Sequence, residues 1–517
     1  MKQRITYIVS DPDTFRPELL DVKHASITLK KVQAAKERKV TIGLGELPEQ
    51  LAKAFEQWHE LHIRWASSKP YPSIPPFISR VTPGLHVFFT PHKAKPTNGQ
   101  LCDLLHSTFG KELKCSSTSE AATKLPILSE RFSMSASSQY YSYVPTLANL
   151  VNYVQEKVCG EKKRCKEEVG ELLEADYLDV DYDAISHAVV LNAFWSTALD
   201  GDSWAETISV PGKGQSVEVG VLMHETRPDP EDIGFGGFLT VLGQDKAPKP
   251  TRFQTPTRHY PLSSTSTATS DAETSSLTYS TSFAPPTGLH PTLTLTFPTS
   301  PIPPNPTCKL HTHLTLPSYL ILDKYQFTDS LFLASHNLKS LHSISGATDL
   351  EAPDWVVEQW GSAVLFELAV AEFVEGEDEG ENEGKEWNAT VPLHLRYLPA
   401  AESSHTSVPV PWPVVFWACR AEEGTKMSVN PFDRLHLGYE GLFGPKTRFM
   451  HVEPQGGQGK LVEWIDVPVL DLRKAKWVEV GTIGAVIVAF LGLVWVLFGG
   501  KSAAKKVESK GEGKKKQ

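Results

Sequence analysis

His311 and His313 sit two positions apart in a run of alternating apolar residues, so a β-strand would present both imidazoles from one face. Such a pair ligates zinc when a third ligand joins it. The sequence offers no evident third ligand, and the pair reads as a plain exposed strand face. In His59-Glu60-Leu61-His62 the histidines lie three apart, whereas a zinc-protease helix needs an i, i+4 pair. Asp181 and Asp183 bring two carboxylates close, but nothing beside them separates an acid from a base. Cys159 and Cys165 lack the C-x-x-C spacing of a zinc knuckle. The glycine clusters at 234–237 and 456–459 read as turns, because neither opens a helix after a strand as a dinucleotide site requires. The P-loop and nucleophile-elbow signatures are missing from the sequence. No residue is therefore assigned a catalytic, cofactor-binding or metal-ligating role, although an active site assembled from distant residues stays open.

Other residues invite covalent chemistry of a secretory compartment. Asn388-Ala389-Thr390 is an acceptor tripeptide for N-glycosylation, while proline blocks Asn305-Pro306-Thr307. Six cysteines fit three disulfides, with Cys102–Cys115 and Cys159–Cys165 as the sequence-local pairs and Cys308–Cys419 as the remainder. Closing the first loop would contribute roughly 3 kcal/mol in the chain-entropy picture. Free buried thiols in a cytosolic protein are the competing reading.

These residues need a scaffold and a compartment. A 40% hydrophobic, 22% charged composition is that of a folded chain, and 38 prolines favour β structure and loops over long helices. The fold expected is α+β and β-rich. Residues 1–245 read as a mixed α/β region of one or two small units. Strand candidates there are Leu61–Trp65, Leu85–Phe89, Val217–Leu222 and Phe238–Leu242, with helix candidates at 51–58 and 147–158. Residues 246–288 read as a linker, since 14 of the 20 residues from Ser263 to Ser282 are Ser or Thr. From 289 to 470, alternating runs at 293–297, 310–316, 391–397 and 414–417 between proline-marked turns suggest a β-sandwich-like domain. Glu375–Glu386, with seven acidic residues in twelve, reads as a solvated loop.

Val480–Gly500 carries no charge and, at ~1.5 Å per helical residue, spans the hydrocarbon core. It reads as one transmembrane helix, with a stripe of small residues (Gly481, Ala485, Ala489, Gly492) suited to packing on another membrane helix. The tail 501–517 holds seven lysines against two glutamates, so the body before it is strongly acidic, which argues against a nucleic-acid partner. The positive-inside rule keeps this tail in the cytosol and puts the body in a lumen. Lys514 and Lys515 resemble the dilysine retrieval signal of endoplasmic-reticulum membrane proteins. The opening MKQRITYIVSDPD is too short in apolar residues for a secretory signal, so a tail-anchored protein with a cytosolic body is the rival topology.

Five segments taken in order carry a family resemblance: 316–320 (LPSYL), 323–326 (DKYQ), 349–355 (DLEAPDW), 391–397 (VPLHLRY) and 412–419 (WPVVFWAC). Followed by one C-terminal membrane helix, the series resembles the PIG-X family, known in fungi as the protease-B-nonderepressible protein. LHIRWASSKPY, from Leu61 to Tyr71, is similar to the N-terminal extension of fungal members. The resemblance implies a lumen-facing, N-glycosylated, non-catalytic subunit of glycosylphosphatidylinositol (GPI) mannosyltransferase I in the endoplasmic reticulum. It implies as partner a multi-spanning catalytic subunit that adds the first mannose, and a chaperone-like role in lumenal maturation. It prescribes no catalytic residues and no cofactor. A lumenal enzyme acting on glycolipid or protein, with His311, His313 and His394 as the residues to test, and a tail-anchored cytosolic adaptor are the alternatives.

Overall fold

A computed structural model describes residues 2–499 except 10, 75, 93–99, 128–135, 200, 211, 213–215, 226–233, 245–246, 257–276, 286–287, 372–385, 421–435, 445 and 456–458. The acidic run up to Lys385, the centre of the Ser/Thr-rich segment and the lysine tail, with Lys514 and Lys515, lie outside the described residues.

The N-terminal half is built on one eleven-stranded sheet. At its middle, Lys2–Val9 pairs in parallel with Val217–Glu225 and antiparallel with Ala35–Gly43. The sheet continues through Ala188–Trp195, Tyr177–Asp183, Trp58–Ala66 and Gly84–Pro91. Alternation sorts the two faces. Leu61, Ile63 and Trp65 share a core with Leu101, Leu105 and Phe109 of the helix Gln100–Phe109 and with Leu150 and Val151 of Ala148–Val154. His62 and Arg64 point away from that core, toward the C-terminal half.

The helix expected at 147–158 runs as an α-helix only to Val154, then widens into a π turn that Gly160 ends at φ 56°. Where a small helical turn was expected to reach Trp58, the helix Glu49–Phe55 stops and Trp58 opens the next strand. The segment 246–288 is not linker throughout. Thr251–Pro256 adds an edge strand to the large sheet, and Thr278–Phe283 enters the C-terminal half. Threonine is β-branched and suits a half-buried pleated surface, so Ser/Thr richness does not by itself mark a linker; Tyr279 and Thr281 alternate inward.

The C-terminal half layers a four-stranded sheet, with Thr278–Phe283, Thr292–Phe297 and Trp387–Pro392, against a five-stranded one. The latter runs in the order Leu338–Gly346, Gly361–Leu368, Lys309–Pro317, Val414–Arg420, Thr447–His451. Leu293, Leu295 and Val391 of one sheet meet Leu310, Leu314, Phe366 and Trp417 of the other in one core. The ladder His405–Pro411 with Val462–Pro468 adds Val410 and Ile465 to it.

The five-stranded sheet is buried on both faces, and its second face closes on the N-terminal half. Val414, Phe416 and Leu365 pack with Leu437, Tyr439 and Phe443. Trp360 reaches across, its backbone N–H donating to Ala121 O (2.9 Å) and its indole to Gln139 O (3.0 Å). Arg80 meets Glu453 at 3.5 Å, Thr315 Oγ1 donates to Thr82 Oγ1 (3.3 Å), and Arg64 donates to the His436 carbonyl (2.9 Å). The two halves therefore share a seam of buried contacts; one crevice in it, near Tyr71, Arg80 and Trp412, has a volume of about 20 Å³, room for roughly one water.

The final helix, Leu472–Phe498, is long and apolar enough to cross a membrane, and none of it is buried within the protein. It begins eight residues before the uncharged run, because Asp471 caps it by accepting from the Arg473 N–H (3.0 Å).

Four histidines at the seam are held neutral. Burial pushes His86 down to about 4 and His313, His436 and His451 to about 3, with nearby charge from Arg64 or Arg80 adding to the effect at all but His313. An unfolded histidine titrates near ~6.5, so below that pH the unfolded chain binds more protons than the folded one and stability falls as pH drops from about 6.5 toward 4. His62 has the opposite sign. Burial opposes its protonation, but the hydrogen bonds it donates to Asp181 and Glu60 outweigh it and raise it to about 9. Its contribution is complete below about 6.5 and is lost as pH rises through about 9. Thermal unfolding of the full chain in detergent should show a maximum near neutrality, with a steep acid limb that His313→Gln flattens; an unchanged melting temperature from pH 7 to pH 4 would contradict the seam's electrostatics.

Candidate functional site

The five segments that carry the family resemblance are far apart in sequence, and several of them converge on one buried guanidinium. Arg396 follows the short ladder in which His394–Leu395 pairs with Leu320–Ile321. The alternation of 391–397 places it outward, yet it is only 2% exposed. A buried guanidinium must satisfy its N–H groups internally. Arg396 does so on backbone carbonyls: Nε donates to Ser318 O (2.9 Å), Nη1 to Ala352 O (2.7 Å) and Asp349 O, and Nη2 to Ala347 O (3.4 Å). Its planar fork thus gathers the loop 347–352 onto the turn at Ser318.

A second layer fixes the same loop. Ser318 Oγ donates to Asp354 Oδ1 (2.6 Å), and Lys114 Nζ reaches Asp354 Oδ2 (3.0 Å) from the N-terminal half. Lys114 is held beside Cys115, whose disulfide to Cys102 ties its loop to the helix Gln100–Phe109. The Asp354 N–H donates to the Tyr397 carbonyl (3.0 Å), which brings the two exposed stretches together.

This scaffold displays large apolar side chains to solvent: Trp355 at 58%, Val356 at 60% and Tyr397 at 66% exposed, with Leu350 close by in sequence. A single exposed apolar residue is ordinary, whereas here several are mounted on one polar knot. The surface lies close to the start of the apolar C-terminal helix. Ala401, four residues after Tyr397, exchanges hydrogen bonds with Leu470 and Leu472 at the helix start (3.1 and 2.8 Å). At ~3.5 Å per extended residue, Tyr397 is therefore within about 14 Å of that junction.

The remaining expected residues fall as follows. Asn388 is exposed on the strand Trp387–Pro392, its amide donating to Glu386 (3.0 Å). Disulfides join Cys102 to Cys115, Cys159 to Cys165 and Cys308 to Cys419. Gly481, Ala485, Ala489 and Gly492 lie along the final helix, and no described residue outside the helix approaches the two glycines. His311 and His313 are not on an exposed face: both are buried, because the segment 437–443 covers that side of the sheet. They do not converge with His394, which instead meets His290 (3.0 Å between Nδ1 atoms). Asp181 accepts from His62, while Asp183 caps a turn at Ile185 and Ser186. Arg396, Lys114 and Trp360 were not singled out by sequence reasoning. Alternation hides Arg396, and the partners of the other two lie more than 200 positions away.

A family model described as PIG-X / PBN1 matches residues 286–498. The chain is 45% identical to "Protein pbn1" of Emericella nidulans over 96% of this chain and 95% of that one, and 42% identical to "Protein pbn1" of Neurospora crassa over 96% and 95%. The chain belongs to the PIG-X / PBN1 family. "Protein PBN1" of Saccharomyces cerevisiae is 26% identical over 43% of this chain. The matched segment, 286–498, contains the whole Arg396 knot except Lys114, together with the exposed surface and the membrane helix.

Replacing Arg396 by Met should orphan several carbonyls at ~1–3 kcal/mol each, lowering the unfolding free energy by about 3 kcal/mol or more, while Arg396→Lys, which keeps the charge but not the fork, recovers only part. Denaturant unfolding checks this; a loss under about 1 kcal/mol would show that the guanidinium does not organise the loop.

Proposed function

We propose that this chain is a non-catalytic, stabilising subunit of GPI mannosyltransferase I, needed for addition of the first mannose. Membership of the PIG-X / PBN1 family supports a role in GPI-anchor formation in general. The observation that carries the subunit reading is the exposed Trp355–Val356–Tyr397 surface, mounted on Arg396, with Tyr397 within about 14 Å of the start of the one helix among the described residues that is long and apolar enough to cross a membrane. A partner with many membrane helices and short loops on the same side of the bilayer fits both features. Its loops meet the apolar surface, and one of its helices packs on the Gly481–Ala485–Ala489–Gly492 stripe.

The placement proposed is the endoplasmic-reticulum membrane, body in the lumen and tail in the cytosol. Three disulfides and an exposed Asn388 in an acceptor tripeptide support an oxidising, glycosylating compartment. Stabilising an unassembled membrane enzyme is itself chaperone-like work, so the two roles draw on one surface.

Depleting the chain should lower both the abundance of the multi-spanning mannosyltransferase and its transfer activity. The double substitution Trp355→Ala, Tyr397→Ala should leave this chain's own level and glycosidase-sensitive mobility unchanged while reducing co-purification of the enzyme at least tenfold. Undiminished co-purification, or an unchanged enzyme level on depletion, would overturn the subunit reading.

A further inference from the structure

We infer that His311, His342 and Glu367 form a binding site for one zinc ion at the edge of the five-stranded sheet. The site is independent of the Arg396 surface and uses neither His313 nor His394. Its three residues come from three adjacent strands. His311 stands directly opposite Glu367 in the ladder between Lys309–Pro317 and Gly361–Leu368. On the other side, Ser340 of the edge strand Leu338–Gly346 pairs with Glu367, and the register then slips between Leu341 and Ser343, leaving His342 as the extra residue. A bulge of this kind re-aims a side chain. Here it brings His342 Nε2 to 2.9 Å from Glu367 Oε2 and its ring to 5.1 Å from that of His311. One ligand atom from each residue lies within 4.8 Å of the others.

The state of His311 points to a cation. Its Nδ1 faces the Lys309 carbonyl at 2.9 Å, and a carbonyl only accepts, so Nδ1 carries the proton and Nε2 a free lone pair. That Nε2 is buried and has no hydrogen-bond partner, in a residue only 1% exposed. A backbone carbonyl fixing the tautomer of one ring nitrogen while the other faces an ion is the usual outer-shell arrangement of a metal-bound histidine. Glu367 is similarly divided: Oε2 faces His342, while Oε1 is held by Lys339 (3.3 Å) and Lys309 (3.6 Å), whose side chains are mostly solvated. Phe416 and Phe443, with ring centroids 5.6 and 5.2 Å from His311, wall the inner side. Half-exposed His342 leaves an entry path.

Two imidazoles and one carboxylate are a zinc donor set that keeps a coordination position open for water or another ligand. Bound there, the ion would pin the edge strand to the centre of the sheet at its bulge.

The test uses the full chain in detergent with a tag free of histidine, stripped by chelator and titrated with Zn²⁺ against a chromophoric competitor, with Co²⁺ absorption as the second readout. One zinc per chain is expected, with a cobalt spectrum of low-symmetry nitrogen–oxygen coordination. His342→Ala, at an exposed position, and Glu367→Gln, which keeps the shape of the buried side chain, should weaken binding by at least about 100-fold, the upper end of what outer-shell changes alone produce, and His24→Ala should not. No zinc retained by the wild type, or zinc retained equally by His342→Ala and Glu367→Gln, overturns the site and leaves His311 an ordinary buried histidine.

Discussion

A guanidinium cannot be taken out of water unless its five N–H groups find acceptors in a fixed plane. At Arg396 those acceptors are main-chain carbonyls, and this decides the shape of the surface around it. Carbonyls of 347, 349 and 352 can face one guanidinium only if the intervening chain curls tightly, and the curl leaves Trp355 and Val356 outside. Asp354 completes the geometry, taking a hydroxyl from Ser318 and an ammonium from Lys114 so that the loop is fixed from both halves of the protein. An apolar surface on such a mount loses little freedom on docking, which is the main way that preorganisation raises affinity.

The mount is rigid because the halves are. The five-stranded sheet of the C-terminal half is covered on one face by its partner sheet and on the other by the segment 437–443 together with the N-terminal half. The polar residues at that seam are consequently neutral histidines, hydrogen-bonded hydroxyls such as Thr315 or paired charges, among them Arg80 with Glu453 and, from the facing sheet, Arg64 with Asp179. At the membrane end, Ala401 ties the Arg396 region to the first turn of the helix. The exposed aromatic residues are thus joined to the start of that helix through a few hydrogen-bonded residues.

Local pattern made much of this legible. The membrane helix is visible as an uncharged run, and the strands at Trp58–Ala66, Lys309–Pro317 and Val414–Arg420 as alternation or apolar runs. What misled was the rule that the off-core face of a strand meets water. In a layered protein that face meets another layer, so His311 and His313, read as an exposed face, are buried, and so is Arg396, which alternation places on the off-core face. The bulge that turns His342 toward Glu367 and the parallel pairing of Lys2–Val9 with Val217–Glu225 depend on partners distant in the chain, and composition or spacing holds no trace of them. Threonine-rich segments misled in the other direction, hiding the strand Thr278–Phe283 inside an apparent linker.

In the proposed assembly the surface mounted on Arg396 touches a membrane-embedded partner, and a photo-crosslinking amino acid placed at Trp355 in intact microsomes would capture that contact. An adduct between this chain and the multi-spanning mannosyltransferase is expected from position 355, and none from position 185, an exposed residue of the N-terminal half. No adduct at 355, or equal adducts from both positions, would contradict that assembly.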